Sequence, residues 1–317
     1  MLRSMLSRLA FGAFPAALCA GLAVADPAAG QAPAPPIPVI DVHMHTPLQS
    51  GVAAWRAAMT ELNVRAAVLI GTPRQWRGMT GLDDPRFLPS LTFPCEDGRV
   101  PNVGWQCFDD GAAFPDLAAL RRWAQEGRIR ALGEVNAQYM GIAPGDPRLE
   151  PYYALAEELD LPLGIHLGIG PPGLAYQRPG FPPRRSPHYR AAAGDVLALE
   201  DVLIRHPRLR LYVMHAAWPM TEDMLYMLYM HPQLHVDVSV LQWAIPRAAY
   251  YAHLRRLVEG GFADRIMFGS DGGVQHLRAG IEAILNADFL TPEQKRAILH
   301  DNAARFFRLG AEAGPSP

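Results

Sequence analysis

Eight short apolar runs alternate with amphipathic stretches from residue 38 onward, and this alternation limits the possible folds more than any other feature. The runs are VIDVHMH (39–45), RAAVLIG (65–71), RFLPSLT (86–92), IRALGEV (129–135), LPLGIHL (161–167), RLYVMHA (210–216), LHVDVSV (234–240) and RIMFGSD (265–271). The helix-like segments between them include 53–63, 115–126, 151–160, 195–206, 222–230 and 247–259. This order predicts an α/β fold, a (β/α)8 TIM barrel, with its reaction centre at the C-terminal ends of the strands. A doubly wound sheet would need a glycine-rich turn after an early strand, where this chain has histidines.

The first 25 residues have the layout of a cleavable secretory signal peptide. Arg3 and Arg8 precede an apolar run, and a small-x-small site ends at Ala25. A retained membrane anchor is the alternative, but the run is short and is interrupted by Pro15. We therefore expect cleavage near Ala25, a secreted or periplasmic location, and no stable membrane anchor after processing.

The rest of the chain divides into a Pro/Ala-rich tail (26–37), one barrel domain (38–310) and a C-terminal tail (311–317). Half of the 317 residues are hydrophobic, which is enough to bury a large core. The formal net charge is −2 at pH 7, so the composition does not indicate nucleic-acid binding. A small-molecule substrate is the expected partner, and a homo-oligomer is left open.

Cys95 and Cys107 flank a loop that contains Gly and Pro. In an oxidising compartment, two cysteines this close favour a disulfide bond over free thiols. A disulfide closing such a loop contributes about 3 kcal/mol in the chain-entropy model. We expect it to hold a loop of the active site.

The first run ends in two histidines that alternation predicts on one face. Asp41, His43 and His45 share that face, while Val42 and Met44 lie on the other. Two inward histidines at positions i and i+2 are costly to bury without a shared ligand. The pair therefore favours a metal site over core packing.

Three further candidates end other runs: His166 the fifth, His215 the sixth and Asp271 the eighth. Gly164 and Gly168 share the face of His166, which predicts open space for substrate around the imidazole. Taken alone, Asp271 is equally well explained as a helix cap. Together with four histidines on three other strands, it is favoured as a metal ligand or a catalytic base.

This pattern resembles the amidohydrolase superfamily, and most closely the branch that contains aminocarboxymuconate-semialdehyde decarboxylase. The resemblance covers about residues 38–309 and rests on the motifs His43-x-His45, His166, His215, Gly269-Ser270-Asp271 and Asn302-Ala303-Ala304-Arg305-Phe306-Phe307. It implies a barrel of the metal-dependent hydrolase type with one Zn²⁺ ion. The implied ligands are His43, His45, His166 and Asp271, and His215 would polarise the substrate or bind a second metal.

Glu134 departs from a one-metal design. It follows Gly133 near the end of the fourth run, where binuclear members of the superfamily place a carboxylated lysine or a glutamate that bridges two metals. The alternative is a salt bridge at the strand end, with Arg130 or another arginine, because a glutamate inside a barrel needs a partner. We favour the metal site.

These ligands predict hydrolysis. A Zn²⁺-class ion lowers the pKa of a bound water to about 7 and polarises the attacked carbonyl, while Asp271 takes the proton and passes it to the leaving group. The expected substrate is a small carboxylated, lactone, amide or ester compound. Non-oxidative decarboxylation at the same site and a non-catalytic, exported metal- or ligand-binding barrel are the alternatives.

Several side chains are candidates for substrate binding. The loop 171–190 is rich in Pro, Arg and aromatic residues, and its arginines suit a carboxylate or phosphate, although a solvated basic loop explains them equally well. These candidates are Arg178, Arg184, Arg185 and His188, with Arg74, Tyr139 and Trp218 after other runs. Asp237 in the seventh run either orients a ligand or takes part in polar packing, which we favour.

Overall fold

The computed structural model describes residues 37–176 and 186–310. It contains an eight-stranded sheet in which every neighbouring pair is parallel and the strands follow chain order. The strands are β1 (Val39–His45), β2 (Val64–Gly71), β3 (Phe87–Phe93), β4 (Ala131–Val135), β5 (Leu163–His166), β6 (Leu211–Met214), β7 (His235–Asp237) and β8 (Ile266–Met267). Beyond β8, backbone hydrogen bonds from Val42 N to Phe268 O (2.9 Å) and from Asp271 N to His43 O (2.7 Å) join the chain back to β1. The predicted (β/α)8 barrel is confirmed.

Helices connect the strands and cover them. They are α1 (Val52–Glu61), α2 (Pro73–Trp76), α3 (Leu117–Gln125), α4 (Glu150–Glu158), α5 (Glu200–Arg205), α6 (Thr221–Met230), α7 (Leu241–Ala244), α8 (Arg247–Glu259), α9 (Val274–Leu285), α10 (Pro292–Arg296) and α11 (Asn302–Phe306). Local caps fix several starts: the Asp116 carboxylate accepts from Ala119 N at 2.8 Å before α3, and Thr291 forms a capping box with Gln294 before α10. No helix within residues 37–176 and 186–310 has the length and apolar character that crossing a bilayer requires.

Two apolar clusters build the core. The larger lies between the strands and the surrounding helices. The smaller lies inside the barrel, where Ile40, Val42 and Tyr212 pack with the α11 residue Phe306 and the adjacent Phe307. These side chains fill the barrel interior, as in TIM barrels generally, and confine the polar groups to the other end.

Strand β1 departs from the predicted alternation. Val42 belongs to the inner cluster rather than to the outer face, whereas Met44 does pack outward. The pairing of β1 with β2 shifts register between Asp41 and Met44, and such an irregularity re-aims the side chains that follow it. His43 and His45 therefore still reach the upper end of the barrel.

The predicted disulfide is present. Cys95 and Cys107 are bonded, with their Cα atoms 6.4 Å apart, and both side chains are buried. They close the loop between β3 and α3.

A buried histidine should make the stability of the barrel depend on pH. His253 on α8 is 3% exposed, and its Nδ1 lies 2.8 Å from Thr221 Oγ1 on α6. Burial lowers the pKa of His253 from 6.5 to about 4, so the unfolded chain binds the proton more tightly than the folded one between these values. We expect the free energy of unfolding to fall by up to about 3 kcal/mol as the pH drops from 6.5 to 4.

Chemical denaturation of the wild type and of His253→Gln at pH 7 and pH 5 measures this effect. The variant should lose less stability on acidification than the wild type, and His300→Gln, at a partly exposed site, should behave like the wild type. Equal losses in the wild type and in His253→Gln would assign the acid sensitivity to other groups.

Candidate metal centre

The C-terminal end of the barrel brings together the six residues that the sequence suggested as metal ligands. His43 and His45 belong to β1, Glu134 to β4 and His166 to β5, while His215 directly follows β6 and Asp271 lies four residues after the end of β8. Except for His45 and Asp271, whose side chains are 22% and 16% exposed, these residues are almost fully buried.

One group of ligand atoms forms around β1. Asp271 Oδ1 lies 2.9 Å from His45 Nε2 and 3.6 Å from His43 Nε2. One ligand atom from each of these three residues lies within 4.8 Å of the others. Within the described chain, His43 Nε2 is buried and has no hydrogen-bond partner. An orphaned imidazole nitrogen facing two other donors fits a metal ligand.

Glu134 lies between this group and a second one. Its Oε2 is 3.5 Å from His45 Nε2 and 3.9 Å from His43 Nε2. Its Oε1 is 2.6 Å from His166 Nδ1 and 3.9 Å from His215 Nε2. The two carboxylate oxygens thus face two different pairs of histidines, and the ion pairs found for Glu134 in the described chain are with these rings rather than with Arg130.

Asp237 and Ser239 orient two of the rings. Asp237 Oδ2 lies 3.1 Å from His43 Nδ1, and Ser239 Oγ lies 3.0 Å from both His43 Nδ1 and His215 Nδ1. Ser239 donates in turn to Asp237 Oδ1 at 2.6 Å. These contacts fix the Nδ1 side of the His43 and His215 rings and leave each Nε2 atom facing the centre. Hydrogen-bond partners of metal-binding histidines commonly orient the rings in this way. Asp237 also accepts from the backbone N of His215 and of Ser239 at 2.9 Å, so it takes part in polar packing and contacts a candidate ligand as well.

Backbone geometry near the strand ends places the ligands. His215 and Asp271 have positive φ values of 58° and 45°, conformations that cost about 1–3 kcal/mol each in residues other than glycine. Gly133, with φ 131°, lets β4 approach β5, because a Cβ atom there would lie 2.6 Å from Gly164 O. The chain therefore turns sharply at the level of the ligands.

Gly164 and Gly168 do not supply the open space predicted beside His166, although the imidazole does line a cavity. A Cβ atom on Gly164 would meet Tyr212 and Met214 at 2.5 Å, and one on Gly168 would meet Trp218 O at 2.5 Å. These glycines make room for protein atoms rather than for substrate, because β5 and the residues after it pack tightly against β6 and the residues after that strand.

The electrostatics of the centre favour a cation. Burial lowers the pKa of His43, but the carboxylates of Asp271, Asp237 and Glu134 outweigh it and raise this pKa to about 10. Burial likewise raises the pKa of Glu134, yet its hydrogen bond to His166 and the neighbouring His215 ring hold this pKa well below its ordinary value. Carboxylates that attract protons onto neighbouring imidazoles also attract a divalent cation that can replace those protons. The nitrogen and oxygen donors together fit a borderline ion of the Zn²⁺ class.

A cavity of about 480 Å³ opens above the centre. Three aromatic side chains line it, and each contacts a candidate ligand or the residue next to one. The Trp105 ring lies 5.4 Å from the His45 ring, the Tyr139 ring lies 4.5 Å from the His166 ring, and Trp243 Nε1 donates to Ser270 O at 3.0 Å. Tyr139 had been predicted as a substrate residue, whereas Trp105 and Trp243 had not. In the sequence, the signal for Trp105 was the predicted Cys95–Cys107 disulfide, which was expected to hold an active-site loop, because Trp105 lies in that loop.

The other predicted substrate residues lie elsewhere. Arg74 lines a separate cavity of about 680 Å³, where its Nε is 4.0 Å from Asp109 Oδ1. Trp218 is partly buried against the core beside Gly168 and is not among the cavity-lining residues in the described chain. His188 Nε2 lies 3.0 Å from Glu96 Oε1. Arg178, Arg184 and Arg185 lie outside the described residues.

A barrel with histidine and carboxylate donors at its C-terminal end defines the class of metal-dependent (β/α)8 hydrolases. Residues 25–309 match the family model described as amidohydrolase. The chain therefore belongs to the amidohydrolase family and is an enzyme of that type.

Solved structures share the fold. An uncharacterised TIM-barrel protein from Bordetella bronchiseptica is 16% identical (TM-score 0.62), and 86% of this chain and 99% of that chain are covered. The 5-carboxyvanillate decarboxylase from Sphingomonas paucimobilis is 17% identical (TM-score 0.58) with the same coverage. A probable 2-pyrone-4,6-dicarboxylic acid hydrolase from Acinetobacter baumannii, with citric acid bound, is 14% identical (TM-score 0.55), again covering 86% and 99%. A comparison with curated protein sequences finds no match.

Proposed function

We propose that the protein is an exported, metal-dependent hydrolase that cleaves a small lactone, ester, amide or carboxylated substrate. The position of Glu134 is the observation that carries this proposal. Its two oxygens face the His43–His45 pair and the His166–His215 pair, which is the arrangement expected of a carboxylate shared by two cations. We favour two Zn²⁺ ions over one.

The donors divide between two positions. His43 Nε2, His45 Nε2 and Asp271 Oδ1 would hold the first ion with Glu134 Oε2. Glu134 Oε1, His166 Nδ1 and His215 Nε2 would hold the second. Zn²⁺ bound there would lower the pKa of water and polarise a substrate carbonyl.

Asp271 has the geometry of the general acid/base. Its side chain is 16% exposed and lines the cavity, whereas its Oδ1 contacts His45. Burial raises the pKa of Asp271, but His43 and His45 outweigh burial and lower this pKa, so the carboxylate is ionised and able to accept a proton at neutral pH. The same carboxyl group then returns the proton to the leaving oxygen or nitrogen.

Decarboxylation is the second candidate. The solved structures that share the fold include one named as a decarboxylase and one named as a probable hydrolase. With a single ion, His215 would face the substrate instead of a second metal, and its Nε2 would donate to a substrate oxygen. A non-catalytic binding barrel is disfavoured, because the donor set is intact and the cavity reaches it.

Incubation of the metal-loaded protein with lactones, esters, amides and carboxylated aromatic acids in H₂¹⁸O tests this function. We expect products that carry one ¹⁸O atom, detected by mass spectrometry. Release of CO₂ together with an organic product free of ¹⁸O would favour the decarboxylase, and lack of turnover by protein with a full metal complement would argue for the binding barrel.

Export is supported by two features. Residues 1–25 carry the composition of a signal peptide, and the Cys95–Cys107 disulfide suits an oxidising compartment. We propose cleavage near Ala25 and a secreted or periplasmic enzyme. Mass determination of the N-terminus of the protein recovered from the cell envelope would test the cleavage site.

A further inference from the structure

The loop closed by the Cys95–Cys107 disulfide forms one wall of the cavity above the metal centre. Its lining residues are Val100, Pro101, Asn102, Val103 and Trp105. Trp105 is partly exposed, and its ring meets the His45 ring edge to face, with an interplanar angle of 66°. A large apolar ring is thus presented to the cavity directly beside a metal ligand.

Hydrogen bonds, an ion pair and the disulfide hold this loop in position. Inside it, Val100 N donates to Trp105 O at 2.8 Å and Cys107 N donates to Gly98 O at 3.0 Å. It is tied to the rest of the protein by Thr72 Oγ1, which donates to Gln106 O at 2.7 Å, and by Glu96 Oε1, which lies 3.0 Å from His188 Nε2. The disulfide joins the two ends of the loop to each other. The loop contains no helix or full strand, and the disulfide, whose Cys107 lies two residues from Trp105, limits where the Trp105 ring can lie.

The side of the cavity that faces this loop is also apolar and aromatic. Ile169, Val240 and Trp243 line it, and the indole of Trp243 is fixed by stacking on His276, with ring centroids 4.1 Å apart, and by its bond to Ser270 O. Apolar and aromatic walls bind a flat apolar group, whereas the histidines and carboxylates beneath them bind the polar, reacting group.

We propose that Trp105, held by the disulfide, is a specificity-determining residue that selects substrates with an aromatic or flat apolar group beside the cleaved bond. The proposal rests on the proposed function only in assuming that the polar end of the substrate lies at the metal centre. It assigns the Cys95–Cys107 disulfide a role in substrate selection as well as in stability.

Two probes separate this proposal from the proposed function. Dihydrocoumarin, an aromatic lactone, is compared with δ-valerolactone, which lacks the aromatic ring, by kcat and KM. The ketone 2-tetralone has nearly the shape of dihydrocoumarin but no bond to hydrolyse. Its Kd, measured by calorimetry, therefore reports how well the cavity wall that contains Trp105 binds an aromatic group, without any turnover.

In Trp105→Ala we expect KM for dihydrocoumarin and Kd for 2-tetralone to rise roughly 10-fold or more, with KM for δ-valerolactone nearly unchanged. Trp105→Phe should recover most of the affinity. Trp123→Ala, which removes a tryptophan from the separate cavity, is the matched control and should leave both constants unchanged. Cys95→Ser combined with Cys107→Ser should reproduce the Trp105→Ala pattern while metal content stays constant.

Different outcomes test the proposed hydrolase function and the role of Trp105. Binding of 2-tetralone that weakens in Trp105→Ala without any lactone turnover would reject the hydrolase and keep the role of Trp105. Failure of the wild type to bind 2-tetralone, or binding that Trp105→Ala leaves unchanged, would overturn the proposal even if lactones are hydrolysed.

Discussion

Glu134→Gln should remove one metal ion per chain and lower kcat by about 100-fold or more. Glutamine keeps the size of the side chain but removes the charge that two cations share. The second position would then retain only His166 and His215 as protein ligands, which is too few to hold a divalent ion firmly. The first position keeps His43, His45 and Asp271, so its ion should remain.

Elemental analysis of the wild type and the variant measures this difference. Glu157→Gln is the matched control, because Glu157 is also a largely buried glutamate bonded to a histidine, His206, but lies outside the metal centre. It should leave metal content unchanged. If Glu134→Gln kept the full metal content and only lowered the melting temperature, Glu134 would have a structural role and the centre would be mononuclear, with His215 facing the substrate.

Asp271→Asn should lower kcat by roughly 10³- to 10⁴-fold, the largest loss expected from a single change in this barrel. Asparagine keeps the shape of the side chain but cannot accept the proton, and it weakens a ligand of the first ion. The acidic limb of the pH–rate profile, which reports the ionisation of this carboxylate, should also disappear.

The kinetics of Asp264→Asn supply the control, because Asp264 is exposed and lies two residues before β8, at the end of the strand away from Asp271. It should retain wild-type rates. A residual rate in Asp271→Asn above about a tenth of the wild-type value would assign proton transfer to another group.

The strands of this barrel could be predicted because their apolar runs are local. Each of the eight runs overlaps one strand, and the predicted first strand matches β1 from Val39 to His45. The ends were less accurate: the sixth run extends to Ala216, but β6 stops at Met214, because the positive φ of His215 turns the chain out of the sheet. Such turns are set by tertiary packing, which alternation does not encode.

The grouping of the candidate ligands was predictable for the same reason, since these residues lie at or just beyond strand ends whose position the fold dictates. The cavity walls were not. Trp105 and Trp243 reach the site through loops, and Arg74, although it follows β2, lies beside Asp109 in another cavity because the single turn of α2 carries it there. The path of a loop depends on contacts distant in sequence, such as that between Thr72 and Gln106.

The metal content of the purified wild-type protein, measured by elemental analysis together with its activity, tests the central claim most directly. We expect one or two first-row divalent ions per chain, with zinc predominant, loss of activity on chelation, and recovery on addition of Zn²⁺. Protein that is free of metal and fully active would contradict the assignment of His43, His45, His166 and Asp271 as metal ligands and, with it, the metal-dependent mechanism.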